Sequence, residues 1–166
     1  MSAEVLEGSN ANSQANQYLT FMLGDEAYGV DILRVQEIRG WNEVRDIPNT
    51  PDYVKGVLNL RGTIVPIVDL RLRFQQEEIE YTPTTVIIVL AVEVEDGQRV
   101  VGAVVDGVSD VLDAMPEVIK SSPDFGAKIN TRFIHGMVVD GERMVILLDT
   151  DKLLDPSEMA ALEGLA

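Results

Sequence analysis

Apolar residues in this chain come in short runs rich in valine and isoleucine, and the breaks between runs are mostly glycine, asparagine and aspartate. That punctuation belongs to strands and tight turns, because an amphipathic helix would space its apolar positions at three and four. Gln17-Tyr18-Leu19-Thr20-Phe21-Met22-Leu23 predicts a strand, Gly24-Asp25-Glu26 a hairpin turn, and Ala27-Tyr28-Gly29-Val30 the return. Asp31 then stands where a helix N-cap belongs, and Gly40 where a helix stops. The stretch between them is short, so a helical turn and an irregular strand both fit. Further on, the stretch 54–69 predicts a strand, an Arg61-Gly62 turn and a second strand ending on Asp69. Pro66 inside that second strand calls for an edge position or a bulge. Thr85-Val86-Ile87-Ile88-Val89-Leu90 predicts a buried strand, with hairpin turns at Asp96-Gly97 and Asp140-Gly141-Glu142.

The pattern repeats. Gly56, Val65 and Asp69 match Gly136, Val145 and Asp149 at one constant offset. Tyr28-Gly29 matches Val101-Gly102, and the match runs on through Val35 with Val108, Glu37 with Asp110 and Ile38 with Val111. Two copies of one small β unit imply two similar barrels packed together. The expected fold is mainly β: two SH3-like five-stranded β-barrel subdomains with short helices and a C-terminal helix. Barrel 1 is expected over about 17–83, barrel 2 over about 84–150, and the helix over about 151–162, with the first strand free to pack with barrel 2. Residues 1–16 are small and polar and predict a flexible tail. The charged stretch 75–83 reads as an exposed connector. A body of this kind offers two ends and a seam.

Composition narrows the chemistry mainly by exclusion. The chain has 166 residues, a 46% apolar fraction and no cysteine, so it can bury a core but carries no thiolate metal site, disulfide or thiol nucleophile. The single histidine, His135, rules out any site that needs two imidazoles and reads as a partly buried strand residue. A formal charge of −15 opposes both nucleic-acid binding and attraction to anionic membranes. No apolar run reaches the length of a membrane span. The first residues lack the basic and apolar regions of a signal peptide, so a cytoplasmic protein is expected.

Catalytic readings fail one by one. Asp149-Thr150 resembles an aspartic-protease strand, but Asp151 stands where that chemistry needs glycine, so Asp69 and Asp149 read as caps at strand ends. The glycines form no phosphate-binding sequence, and Asp106-Gly107-Val108-Ser109-Asp110 has too few spaced oxygens for calcium. No cofactor or metal is expected. Binding fits better. Gly56 and Gly62 allow close backbone approach or positive φ, with Asn59 and Arg61 between them. Arg61 is either a solvated corner or the partner of Glu37 in a groove wall beside Val35 and Ile38. A small acidic β-barrel hydrolase is the alternative of a different class.

Three segments carry a resemblance: the stretch 24–32 with Val35-Gln36-Glu37-Ile38, then Val57-Leu58-Asn59-Leu60-Arg61-Gly62 with Val65-Pro66-Ile67-Val68-Asp69-Leu70-Arg71, then Val104-Val105-Asp106-Gly107-Val108-Ser109-Asp110-Val111. Together they resemble the CheW family of bacterial chemotaxis coupling proteins, over about 17–162. The resemblance implies a non-catalytic adaptor that joins the cytoplasmic tips of methyl-accepting chemoreceptors to the histidine kinase CheA, through the kinase's regulatory domain. It implies an apolar receptor helix in a groove between barrels. Val35, Glu37, Ile38, Gly56, Asn59, Arg61 and Gly62 become receptor-side residues, with Val108 and Val111 as the opposite wall. Lys120 and Phe125 become contacts to the kinase or to further CheW copies in an extended array. No direct membrane insertion is implied, only recruitment to membrane-associated receptor arrays.

Overall fold

The computed structural model describes residues 16–41, 51–74, 76, 79–95, 97–120 and 131–154. Ten strands carry it: β1 Asn16–Leu23, β2 Glu26–Asp31, β3 Val35–Gly40, β4 Val54–Leu60, β5 Thr63–Asp69, β6 Val86–Val94, β7 Gly97–Val105, β8 Gly107–Ala114, β9 Ile134–Asp140 and β10 Arg143–Leu148. Two short helices, α1 Leu70–Arg73 and α2 Thr150–Leu153, follow β5 and β10. Asp69 and Asp149 accept backbone N–H bonds at their starts, which is the capping role expected of both carboxylates. Asp31 caps likewise, but only a 3-10 turn over Ile32–Arg34 follows before β3 extends. The stretch after Asp31 is therefore both of the expected things in succession.

The strands form two five-stranded sheets, in the orders β9-β10-β2-β1-β8 and β3-β6-β7-β5-β4. The expected class, mainly β with two SH3-like five-stranded units, is the one observed. The boundary expected near 83–84 does not follow sheet membership. β1 and β2 leave the first repeat to join β8, β9 and β10, while β6 and β7 join β3, β4 and β5. Each repeat thus supplies its first two strands to one sheet and its last three to the other. The chain crosses between sheets at Ile32–Arg34 and at Asp106. Composition is alike on both sides of each crossing, so local pattern holds no sign of it.

Burial explains the continuous apolar runs. On β10, Val145 and Leu147 face a small cluster with Tyr18, Ala27, Leu112 and Val138, while Ile146 and Leu148 face a large one. In the other sheet, Val65, Ile67, Ile87, Val89 and Val104 line the matching small cluster. The large cluster draws on both sheets, including Phe21, Tyr28, Val68, Leu90 and Val101. Central strands are buried on both faces and so lose the alternation of a half-exposed sheet. One backbone bridge, Lys120 to Met137 with both N···O distances 2.9 Å, joins the chain beyond β8 to β9, linking the two ends of that sheet.

Two local readings change. Pro66 lies on β5, which has neighbours on both sides, so it is not on an edge; the parallel ladder to β7 begins only at Ile67, and the proline's missing N–H is not asked for there. His135 is exposed, as the extra residue of a bulge between Ile134 and Gly136. The segments holding Phe125 and the expected C-terminal helix beyond Leu154 lie outside the described residues.

Candidate binding site

The hairpin β4–β5 closes on two residues with positive φ, Arg61 at 52° and Gly62 at 89°. This is the primed turn that matches strand twist, and it is why glycine follows the arginine. The Asn59 side-chain oxygen accepts the Gly62 N–H at 2.8 Å and holds the turn closed. The turn carries Arg61 to the opposite edge of its own sheet, where its guanidinium donates to Glu37 on β3. Arg39 approaches the other Glu37 oxygen at 3.4 Å. The expected Glu37–Arg61 pair therefore forms, and it ties together the sheet edges β3 and β4.

Hydrogen bonding from Arg61, then the positive charges of Arg61 and Arg39, hold the Glu37 carboxyl below the usual glutamate range against a smaller opposing effect of burial. Arg61 is 74% exposed on its side chain, so the pair adds little to stability and presents a fixed charge pattern instead. Ile38 stands 43% exposed beside it, whereas Val35 is half-buried and packs against the large cluster. Gly56 is buried at a bulge in β4 with φ 146°. Val35, Glu37, Ile38, Gly56, Asn59, Arg61 and Gly62 thus share one sheet, with the two arginines focused on Glu37. Val108 and Val111 are exposed on β8, the edge of the other sheet. Lys120 is exposed at the bridge to β9.

Sequence reading missed the twin of this arrangement. Asp110, the repeat partner of Glu37, meets Arg143 at 3.5 Å, and Arg143 also pairs with Asp140 at 2.8 Å. The signal was the match of Glu37 with Asp110, which calls for an arginine at the β9–β10 turn. It also missed a buried group at the seam. Arg71, with no exposed side-chain surface, donates to both oxygens of buried Asp69 and to Asp106 at 2.9 Å. Burial alone would lower the Arg71 pKa; the bonds to Asp69 and Asp106 outweigh it and raise it. Tyr81 lies under that guanidinium, 5.0 Å to its ring centroid, and stacks on Trp41 at 4.3 Å. Among the described residues no cluster of histidine, cysteine, aspartate or glutamate is arranged to hold a metal.

A two-barrel scaffold with a charge-fixed hairpin and no assembled reaction centre is matched over residues 17–158 by the family model described as CheW-like domain. The chain belongs to the CheW-like domain family. It is 53% identical over 150 residues to the chemotaxis protein CheW of Klebsiella aerogenes, covering 90% of this chain and 88% of that protein. The chemotaxis protein CheW of Treponema pallidum is 37% identical over 160 residues, covering 93% and 91%. Among solved structures, the scaffolding protein TtCheW from Thermoanaerobacter tengcongensis superposes with a TM-score of 0.76 at 28% identity, over 84% of this chain and 92% of that one. No helix among the described residues is long and apolar enough to cross a membrane.

Proposed function

We propose that the protein is a non-catalytic adaptor of bacterial chemotaxis that couples chemoreceptor tips to the histidine kinase CheA and helps assemble their arrays. The observation that carries this reading is family membership over nearly the whole chain, with chemotaxis proteins as relatives at up to 53% identity. The receptor side is the hairpin surface of Val35, Glu37, Ile38, Gly56, Asn59, Arg61 and Gly62, with Val108 and Val111 as the facing wall. A receptor helix lays apolar side chains against Ile38 and finds orienting charge at Arg61 and Glu37. The kinase's regulatory domain, or a further CheW copy, engages the end marked by Lys120 and Phe125. The protein works in the cytoplasm and reaches the membrane only through the receptors.

Co-sedimentation of the purified protein with receptor-tip fragments and CheA tests this directly. The expected result is a ternary complex in which the kinase associates with receptor tips only when the adaptor is present. Incubation with active kinase and labelled ATP leaves the adaptor itself unlabelled. Absence of any ternary complex, or stoichiometric label on the adaptor, overturns the reading.

A further inference from the structure

Each crossover between the sheets is clasped by the short helix that lies beside it. β2 runs parallel to β10, so Arg34, just after β2, meets Asp151 on α2, with both of its terminal nitrogens 2.9 Å from the carboxylate. Asp151 also accepts the Glu93 N–H at 2.8 Å, and Arg34 donates to the Ala91 carbonyl at 3.3 Å. β5 runs parallel to β7, so Asp106, just after β7, meets Arg71 on α1 at 2.9 Å. The second Asp106 oxygen accepts the Gly24 N–H at 2.7 Å, reaching the other sheet. The two clasps occupy corresponding places in the duplicated fold with their polarity reversed. In one the crossover supplies the cation, in the other the anion.

That reversal has a consequence for which strands join. Were each repeat to form a sheet alone, β2 would lie beside β5 and β7 beside β10. Arg34 would then stand against Arg71, and Asp106 against Asp151. Both contacts would be repulsive, and Arg71 would still carry its buried partner Asp69. We propose that the opposed polarity of these clasps selects the exchanged pairing of the two repeats, with the unexchanged pairing rejected by like charges. The geometry of the strands tolerates either pairing, since the repeats match in pattern. The charges do not. This inference concerns folding and needs no binding partner, so it stands apart from the adaptor reading.

The chain's lack of cysteine allows a direct test by disulfide trapping during refolding. Gln17 is the cross-strand partner of Asp113 in the observed pairing, and a bridge between Gln17→Cys and Asp113→Cys reports it. In the unexchanged pairing the repeat counterpart of Asp113 is Gly40, now on the other sheet and with open space around it. A bridge between Gln17→Cys and Gly40→Cys therefore reports that alternative. The neutral variant Arg34→Gln with Asp151→Asn keeps donor and acceptor but removes the repulsion. Gly102→Ala, destabilised by packing alone with both clasps intact, is the control.

The expected result is a share of the 17–40 bridge clearly above the parent's in the neutral variant, and no increase in the control. An unchanged share in the neutral variant overturns the proposal. An equal rise in the control overturns it too, because destabilisation alone would then account for the mispairing.

Discussion

At the scale of single residues, the Glu37–Arg61 pair is a surface device rather than a stabilising one. Arg61→Ala is therefore expected to leave thermal unfolding near the parent's and to weaken receptor-tip binding several-fold, read by a binding isotherm. Ile38→Asp is expected to do the same. Val35→Asp is not an equivalent test, because Val35 packs against the shared core and a carboxylate there costs fold stability along with any binding. The pair also has a pH signature. Glu37 titrates below the ordinary glutamate range, so its charge is retained as pH falls through that range and lost only below it. Carboxyl NMR should show this depressed midpoint, and Arg61→Ala should return it upward. Residue type and spacing made this pair legible, since a turn arginine and an acidic strand residue were both visible. Arg39 was not, because nothing local says that its side chain runs alongside Glu37.

At the scale of elements, duplication decides which positions tolerate a side chain. Gly29 and Gly102 are repeat counterparts, each set against the small cluster of its own sheet. A Cβ on Gly102 would lie 2.6 Å from Ile67 Cδ1 and 2.9 Å from Ile87 Cγ2, both buried, against 3.0 Å from Leu147 Cδ2 at Gly29. Gly102→Ala is expected to cost about 1–3 kcal/mol by overpacking, and more than Gly29→Ala. Chemical denaturation of the two variants checks the order. Strands and turns were legible because alternating runs and Gly-containing turns are local signals. The exchange of strands was not, since it depends on how the chain crosses between sheets at Ile32–Arg34 and Asp106. Nor was the exposure of His135, which follows from a bulge that shifts register by one residue. Arg71 and Asp69 likewise read as an ordinary strand end until folding buried them together, so their role was hidden for want of a long-range contact.

At the scale of the whole molecule, the exchange makes each sheet depend on both repeats, and the largest core draws side chains from both sheets. Neither half has a complete set of strands to fall back on, so the chain is expected to unfold as one unit. The sole tryptophan offers a local probe, because Trp41 stacks on Tyr81 beside Arg71 in one sheet. Far-UV circular dichroism reports all strands together. The two denaturation curves should coincide at neutral pH, as a two-state transition requires. Alkali supplies a second test of the same unity from the opposite sheet. Burial, then the neighbouring Glu26 charge, pushes the Tyr28 hydroxyl up to about 12 from 10.0. The folded chain thus keeps that proton where the unfolded chain loses it. Stability is intact below pH 10.0 and falls as pH rises toward 12, by up to about 3 kcal/mol from this one group. Because Tyr28 stands in the shared core, its ionisation should carry Trp41 with it: tryptophan fluorescence and tyrosinate absorbance should change in one step. A Trp41 signal that persists after Tyr28 has ionised would mean that the sheets come apart separately and that the shared core does not join them.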